Sequence, residues 1–178
     1  MKIYSTRHGE TVWNKDDLIC GVTDVELTDK GIEQAKALAE KVAKLGDVDV
    51  IISSPLSRAV KTAGFTAEKL GLEIIIDERL TEWDYGSYEG KHRSAEGFPQ
   101  SKIEFGCNMP DGGESLLQLA HRVYSLLDEV RVKYKDKNVL LVCHGGVCRV
   151  IETYFRDMTT NEFLHFFMGN CELREYVI

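Results

Sequence analysis

The sequence contains no apolar run that approaches the roughly 18 residues needed to span a membrane. It also has no excess of positive charge: 22 lysines and arginines stand against 29 aspartates and glutamates, for a formal net charge of −7. These two absences argue against a membrane contact and against a nucleic-acid surface. Any anionic ligand must therefore be attracted by a local cluster of cations.

The sequence also shows no sign of a disulfide framework or of a secretory leader. The five cysteines are an odd number, and the first residues, Met1 to Ile3, begin a strand instead of a signal peptide. We therefore expect reduced thiols and a cytoplasmic protein. A chain of 178 residues can bury a core without disulfides or metals, so we expect one domain, residues 1–178, as a monomer or a homodimer.

Strand and helix patterns alternate along most of the chain. Short apolar runs predict strands at residues 2–8, 49–54, 73–76, 138–144 and 172–178. Apolar residues at helical spacing predict helices at residues 28–46, 54–71, 115–135, 146–155 and 159–167. This alternation predicts an α/β fold, a three-layer α/β/α sandwich with a mostly parallel central sheet. Residues 86–112 fit neither period and are expected to form a small inserted cap.

Capping residues indicate where two of these helices begin and end. Thr28 is the expected N-cap of the first helix, and Gly46 is its expected stop. In the second helix, Ser54 is the expected cap, Pro55 the first helical residue and Gly71 the stop. A strand that runs directly into a helix places the connecting residues at one edge of the sheet.

Polar residues from four separate segments arrive at that edge. In open α/β sheets, ligands bind outside the carboxyl ends of the strands. The first and fourth predicted strands end at His8 and His144, with Arg7 directly before His8. Arg58 and Glu82 follow two other strands. We therefore expect two cations, two imidazoles and one carboxylate close together.

Each of these residues alone could be an ordinary polar residue at the boundary of the fold. An arginine in the first turns of a helix, however, is disfavoured by the helix dipole, which makes Arg58 unusual. Gly9 and Gly145 directly follow the two histidines, and a glycine leaves room for the close approach of a ligand. The coincidence favours a functional site with Gly145 beside the ligand.

The residue types point to phosphoryl chemistry. Two cations beside two imidazoles repel one another unless an anion lies between them, and guanidinium groups bind phosphoryl oxygens in pairs. A neutral imidazole, with an ordinary pKa of about 6.5, is a nitrogen nucleophile near pH 7 that needs no metal. The Glu82 carboxyl group could protonate the leaving oxygen and later accept a proton from water.

The segment CHGGVC does not indicate a metal site. Side chains alternate along a strand, so Cys143 should point away from His144. We therefore expect neither a metal nor another cofactor.

Six motifs, in order along the chain, give these residues a family resemblance. They are RHGETVWN, GVTDVELTDKG, SSPLSRAVKTA, ERLTEWDYGSYEG, GGES and VCHGG. Together they resemble the motifs of the histidine phosphatase superfamily, in the branch of cofactor-dependent phosphoglycerate mutases and related phosphatases.

The resemblance implies specific roles for the matching residues. It implies that His8 is the nucleophile that forms a phosphohistidine and that Glu82 is the proton donor. It assigns the phosphate pocket and the wall of the substrate pocket as follows: phosphate-binding residues Arg7, Arg58, His144 and Asn14, and pocket-lining residues Gly21 and Tyr85. Cys20 stands where the mutases carry threonine.

Hydrolysis and mutase activity share the first half of this reaction. The family's mutases are longer chains, with a large basic insertion after the catalytic glutamate and an extended C-terminal tail. Here the cap is short, and we expect its cations to be offset by its acids: Lys91, His92, Arg93 and Lys102 against Glu89, Glu96, Glu104 and Asp111. Since the chain also stops within its last predicted strand, we expect water to reach the intermediate.

A metal-independent phosphatase acting on a small phosphorylated metabolite is therefore the expected function. The alternatives are a phosphoglycerate mutase and a non-catalytic phosphate-binding module, although a binding module needs neither the nucleophile nor the proton donor. Within the cap, Arg93 is the best candidate to bind a second anionic group of the substrate.

Overall fold

The computed structural model describes residues 1–178 and is built around a five-stranded sheet. The strands are β1 (Lys2–Arg7), β2 (Val50–Ser53), β3 (Ile74–Ile76), β4 (Val139–Cys143) and β5 (Leu173–Val177). They are ordered β3-β2-β4-β1-β5. All neighbours run parallel except β1 and β5, which are antiparallel. This topology confirms the predicted α/β fold with a mostly parallel sheet.

Helices cover both faces of the sheet. They are α1 (Val12–Lys15), α2 (Asp29–Leu45), α3 (Ser57–Leu70), α4 (Phe98–Ser101), α5 (Leu116–Lys133), α6 (Gly145–Phe155) and α7 (Thr160–His165). None of them is long and apolar enough to cross a membrane.

Successive residues of β4 pack into two different apolar clusters, one on each face. Leu140 and Val142 pack with residues of α2 and α3, whereas Val139 and Leu141 pack with residues of α5 and α6. This alternation is the expected consequence of the two-residue period of a strand. The three predicted layers are therefore present.

The ends of α2 follow the predicted capping chemistry. The side chain of Thr28 accepts a hydrogen bond from the backbone N–H of Gly31, and Gly46 adopts a left-handed conformation with φ of 69°. An N-cap hydroxyl and a left-handed glycine satisfy backbone groups that a helix leaves without partners at its two ends.

The predicted start of the next helix was wrong, since α3 begins at Ser57 and not at Pro55. Ser54 lies before the cap position Leu56: its hydroxyl accepts from the Leu56 backbone N–H at 3.3 Å and lies 2.7 Å from Nε2 of His144. The carboxylate of Asp24 takes the capping role from a distance and accepts hydrogen bonds from the Ser57 backbone N–H at 3.1 Å and hydroxyl at 2.9 Å. The sequence pattern could not show that Ser54 is engaged with the residue that follows the fourth strand.

Segment 86–112, the predicted cap, contains only short helical pieces. These are α4 and the 3-10 turns Gly86–Tyr88 and Pro110–Gly112. Phe98 of α4 packs edge-on against Tyr85, with the ring centroids 5.3 Å apart, and against Tyr88 at 5.2 Å. These aromatic contacts fix the segment against the carboxyl edge of the sheet.

Candidate active site

The two histidines predicted at strand ends lie side by side in the middle of the sheet edge. β1 and β4 are adjacent parallel strands in which Arg7 pairs with Cys143, so the next residue of each strand reaches the same level. The ring centroids of His8 and His144 are 5.1 Å apart, and the two residues are 2% and 0% exposed. The fold therefore brings the two imidazoles together in a site shielded from water.

The His8 ring is held in one tautomer. Its Nδ1 lies 2.7 Å from the carbonyl oxygen of Gly9, and a carbonyl can only accept, so Nδ1 carries the proton. Nε2 then carries the lone pair. The side chain of Asn170 donates to the His8 carbonyl at 2.8 Å and holds the backbone from the other side. His8 thus presents one unprotonated ring nitrogen.

Both imidazoles are held in the neutral form. Burial lowers the pKa of His8 well below its ordinary value, and the nearby Arg58 and Arg7 cations lower it further. The pKa of His144 is lowered for the same reasons, with burial again the largest cause. Neutral imidazole is the nucleophilic form, so the electrostatics suit attack by His8 near neutral pH.

Arg58 is held by the backbone of a neighbouring loop. Its Nη2 donates to the carbonyl of Gly21 at 2.6 Å and its Nη1 to the carbonyl of Thr23 at 2.9 Å. The carboxylate of Asp24 lies 3.8 Å from Nη1. These contacts fix the plane of a guanidinium group in the first turn of α3, where a cation is otherwise disfavoured.

Arg7 and Asn14 are oriented by hydrogen bonds that leave donors of both side chains free. Arg7 donates through Nη1 to the carbonyl of Met168 at 3.1 Å. The side-chain oxygen of Asn14 accepts from the backbone N–H of Thr11 and from Asn170, both at 3.2 Å. The amide nitrogen of Asn14 and Nε of Arg7 are therefore left to face other partners.

Four buried side-chain nitrogens of the predicted phosphate pocket have no hydrogen-bond partner within the protein. They are Nε of Arg7, Nδ2 of Asn14, Nε of Arg58 and Nδ1 of His144. Buried polar groups are normally satisfied, so four such nitrogens in one predicted pocket call for a common explanation. An anion with several acceptor oxygens, such as a phosphoryl group, would satisfy all of them.

The Glu82 carboxylate lies at the N-terminus of α6. Oε2 accepts from the backbone N–H of Gly146 at 3.0 Å, while Oε1 accepts from Val147 at 3.2 Å and from Trp83 at 2.8 Å. A carboxylate at a helix N-terminus is favoured by the helix dipole. The contacts fix Glu82 beside the cavity with a defined orientation.

Glu89 holds the loop that binds Arg58, and sequence reasoning did not identify this role. Its carboxylate accepts from the backbone N–H groups of Val22 and Thr23, both at 2.9 Å, and from the Thr23 hydroxyl. Gly21 lies against the same carboxylate, and a Cβ at that position would collide with it. Gly21 is therefore required by close packing.

A cavity of about 120 Å³ lies beside His8. Seven predicted site residues line it: Arg7, His8, Asn14, Glu82, Tyr85, Arg93 and Gly145. Arg58, His144 and Gly21 are buried and do not line it. The cavity is small compared with the roughly 300 Å³ or more of typical drug-sized sites, so a compact ligand fits it best.

The end of the cavity next to the cap carries two further cations, Lys102 and Arg149. The expectation that cap acids offset the cap cations was wrong. Nε of Arg93 and Nε2 of His92 lie 3.3 and 3.4 Å from the carboxylate of Asp17, outside the cap, and Lys102 forms no ion pair. The cap therefore contributes a lysine that no acidic side chain neutralises.

One of these two added cations could have been identified from the sequence, and the other could not. Arg149 follows His144 by five residues and lies in the first turns of α6, a spacing that could have identified it. Lys102 follows α4 in a segment without a period, so nothing in the pattern placed it at the cavity. Aromatic side chains from both regions, Phe98 and Phe166, complete this end.

Comparisons with known proteins identify the family of this chain. The model of the histidine phosphatase superfamily (branch 1) matches residues 3–178. Phosphoglycerate mutase-like protein 4 of Arabidopsis thaliana is 37% identical over 156 residues, which are 83% of this chain and 68% of that protein. Putative phosphoserine phosphatase 2 of Hydrogenobacter thermophilus is 32% identical over 181 residues, covering 98% of this chain and 88% of that protein.

A solved structure extends the likeness to three dimensions. A phosphoserine phosphatase variant from Entamoeba histolytica, in complex with phosphoserine, superposes with a TM-score of 0.87 at 29% identity. The superposition covers 99% of this chain and 90% of that chain. The fold prediction is thereby confirmed a second time.

Family and relatives together support one class of activity. Phosphatase names among the relatives, within a superfamily whose model spans nearly the whole chain, support a phosphoric monoester hydrolase and confirm the predicted phosphatase. The mutase alternative is the weaker one. The chain belongs to the histidine phosphatase superfamily, branch 1.

Proposed function

We propose that the protein hydrolyses a small phosphate monoester through a phosphohistidine formed at His8. The observation that carries the proposal is the neutral imidazole of His8, with its Nε2 unprotonated, among four buried side-chain nitrogens that lack partners, two of them on residues that line the cavity. A phosphoryl group accepts hydrogen bonds from such donors and reacts with such a nitrogen. The phosphatase names among the relatives point the same way.

In the first step, Nε2 of His8 attacks phosphorus and the bond to the leaving alcohol oxygen breaks. Arg7, Arg58, Asn14 and His144 hold the phosphoryl oxygens, where negative charge gathers during transfer. Glu82, in its protonated form, gives its proton to the leaving oxygen, so that an alcohol departs instead of an alkoxide. The products of this step are the alcohol, a phosphohistidine and the Glu82 carboxylate.

In the second step, a water molecule attacks the phosphohistidine. Glu82 accepts the proton of that water, the bond from phosphorus to Nε2 breaks, and inorganic phosphate leaves. The backbone contacts of Glu82 support both roles, because they keep the carboxyl group beside the cavity throughout. The enzyme then returns to its starting state.

We assign roles to the remaining predicted residues from their positions around the cavity. Tyr85 and Gly145 line the space that the leaving group would occupy, and Arg93 stands at the cap end, where a second anionic group could reach it. Gly21 contributes indirectly, since its carbonyl accepts a hydrogen bond from Arg58. We assign the substrate to the class of compact phosphorylated metabolites because of the cavity's volume of about 120 Å³.

We further propose that residues 1–178 form one domain with residues 86–112 as its inserted cap, that the protein is cytoplasmic, and that it acts as a monomer or a homodimer. The family match over residues 3–178 supports the single domain. The five cysteines are all unpaired, which fits a reducing compartment. The net charge of −7 gives no support to a nucleic-acid or membrane partner.

Turnover in a chelator tests this proposal. Purified protein in EDTA is given an aryl phosphate and a panel of small phosphorylated metabolites, and inorganic phosphate is measured. We expect release from both, together with an acid-labile phosphoenzyme in quenched samples. The phosphoenzyme and the turnover should both disappear in His8→Ala, whose fold is checked by circular dichroism.

Two results would overturn the proposal. Binding of vanadate or phosphate without turnover of any ester would indicate a phosphate-binding module. Rapid, primer-dependent interconversion of 2- and 3-phosphoglycerate with little phosphate release would indicate a mutase. Release of phosphate well in excess of interconversion is the expected outcome.

A further inference from the structure

The cap end of the cavity differs chemically from the end beside His8. Arg93, Lys102 and Arg149 line it, whereas Glu82 is the only acidic side chain of the cavity wall. We propose that Lys102 and Arg149 form a second anion subsite, which selects phosphate monoesters whose alcohol carries a compact anionic group. This inference rests on the proposed phosphatase activity.

Lys102 is placed in the cavity wall without a partner for its charge. It forms no ion pair and no side-chain hydrogen bond, and its amine lies 4.9 Å from the centroid of the Phe98 ring. Burial, with smaller contributions from Arg149 and Arg93, lowers the pKa of Lys102 to about 8. The surroundings of Lys102 disfavour its charged form, and a bound anion would stabilise that form.

Arg149 has an unused donor at the same end. Its Nη2 donates to the carbonyl of Phe166 at 2.9 Å, while its Nε is buried and has no hydrogen-bond partner. Burial lowers the pKa of this guanidinium group. Like Lys102, Arg149 forms no ion pair, so an incoming anion would meet two cations that no acid neutralises.

Arg93 and Glu82 do not balance these two charges. Arg93 is a cation itself and is already engaged with the carboxylate of Asp17, 3.3 Å away. The Glu82 carboxylate already accepts three backbone hydrogen bonds and forms no ion pair with Lys102 or Arg149. Cations held away from water without a counter-charge are costly, and a ligand anion removes that cost.

The size of the cavity restricts the ligand. With about 120 Å³ available, a phosphoryl group beside His8 leaves room for only a short chain between it and the cap end. The second anion must therefore be compact. A carboxylate fits this description best, and a second phosphate group is the other source of the same chemistry.

Matched substrate pairs test the subsite. One pair is 3-phosphoglycerate against glycerol 3-phosphate, which differ in a carboxylate, and the other is propane-1,3-diol bisphosphate against propyl phosphate. We expect wild-type kcat/KM to favour 3-phosphoglycerate over glycerol 3-phosphate, whose alcohol part carries no charge, by about tenfold, mainly through KM. The bisphosphate pair shows whether a second phosphate is accepted as well.

Lys102→Met should abolish this preference while sparing the neutral esters. Lys91→Met is the matched control, because Lys91 is an exposed lysine of the cap that does not line the cavity. It removes the same net charge and should leave the preference unchanged.

The outcomes separate the subsite from the proposed activity. Wild-type hydrolysis of both members of each pair at equal efficiency would overturn the subsite and leave the phosphatase proposal intact. The subsite is equally excluded if Lys102→Met keeps the preference or loses activity on neutral and anionic esters to the same extent. Failure to release phosphate from any ester would instead overturn the proposed function.

A different set of contacts carries a second inference, which concerns Glu89. Its carboxylate binds Val22 and Thr23, and the carbonyls of Gly21 and Thr23 in the same loop hold the guanidinium group of Arg58. We infer that Glu89 is a positioning residue that acts on the phosphate through Arg58, since it does not line the cavity itself.

A double-mutant cycle tests this relay. Glu89→Gln keeps the shape of the side chain but turns an amide NH₂ group towards backbone N–H donors. We expect it to lower kcat/KM and the affinity for vanadate by about tenfold in the wild type, and to have almost no effect when Arg58→Ala is already present. Glu96→Gln, in an exposed part of the cap, serves as the control.

Non-additivity is the result that a purely structural role would not produce. If Glu89→Gln costs the same factor with and without Arg58, it acts by another route and the relay is wrong. The relay is equally wrong if Glu89→Gln leaves the vanadate affinity unchanged.

Discussion

The two ends of the cavity are held in different ways. Beside His8, each polar side chain is fixed by hydrogen bonds to the backbone or to a neighbouring side chain. At the cap end, the amine of Lys102 has no hydrogen-bond partner within the protein. The proposed group-transfer site is therefore built on the central strands, whereas the proposed anion subsite combines Arg149 of α6 with Lys102 of a short loop.

The difference follows from the elements that carry the residues. His8 and His144 extend two adjacent central strands that are buried throughout most of their length. Lys102 follows a helix of only 4 residues, in a segment without strands. Buried parallel strands tolerate little movement, whereas loops change readily among related proteins.

The largest expected effect is the loss of proton transfer at the end of the cavity beside His8, which we call the fixed end. Glu82→Gln keeps the shape of the side chain but removes its ability to give and take a proton. Hydrolysis of alkyl phosphates, which need a proton on the leaving oxygen, should fall about 10²- to 10⁴-fold. Aryl phosphates with activated leaving groups should lose much less, as measured by kcat across a series of leaving-group pKa values.

An equal loss for both kinds of ester would contradict the proton-transfer role. In that case Glu82 would act only through its three backbone hydrogen bonds at the start of α6. In Glu82→Gln the single amide oxygen can accept on one side only, and the NH₂ group faces a backbone N–H on the other, so the fold of the variant is checked by circular dichroism. Wild-type activity in this variant would also exclude the role.

A second prediction concerns the pH dependence of stability, because the end beside His8 contains two buried histidines that are held neutral. Unfolding would let His8 and His144 regain a pKa of about 6.5, whereas folding lowers it well below that value. The unfolded state therefore binds more protons below about pH 6.5, and stability is lost as the pH falls. For each histidine the slope is about 0.7 kcal/mol per pH unit at pH 6.5 and approaches about 1.4 kcal/mol per pH unit only well below it, so the fall from pH 7.5 to 5.5 should cost about 1.4 kcal/mol in total for each.

Urea unfolding between pH 7.5 and 5.5 measures this slope. Stability should be nearly constant above pH 7 as far as these two groups are concerned. His8→Asn should remove about half of the slope, whereas His165→Asn, at an exposed position on α7, should leave it unchanged. An unchanged slope in His8→Asn would show that His8 is not held neutral.

The smallest expected effect concerns an exposed side chain of the cavity wall. Phe167 lines the cavity, and its ring centroid lies 5.7 Å from the guanidinium carbon of Arg7. Phe167→Ala should raise KM about two- to fivefold with little change in kcat, because an exposed cation–π contact contributes about 0.5 to 1 kcal/mol. Phe105→Ala, at an equally exposed position outside the cavity, is the control. A large fall in kcat would mean that Phe167 orients Arg7 for catalysis.

The sequence predicted the parts of the fold that depend on local periodicity. Strand ends at His8 and His144, and the caps Thr28 and Gly46, follow from side-chain alternation and from backbone groups that need a partner. These features require no knowledge of distant contacts. They were enough to place two imidazoles at one edge of the sheet.

Other features depend on contacts between distant residues and could not be predicted. Asp24 caps α3 across 33 residues of sequence, and the Ser54 hydroxyl contacts His144. The helix therefore begins later than the local sequence predicts. Glu89 reaches the loop at Val22 across 67 residues. No local pattern encodes either contact, because both depend on how loops pack after the sheet has formed.

The strand order also determines when the enzyme can first become active. A ribosome makes His8 well before most of the sheet, but β1 pairs with β4, where Ile3 meets Val139, and with β5, where it meets Tyr176. Pairing over such a distance closes a long loop and forms slowly compared with a hairpin or a helix. A nascent chain can therefore form α2 and α3 before His8 and His144 lie side by side. Activity that needs both His8 and His144 therefore requires the long-range pairing of β1 with β4.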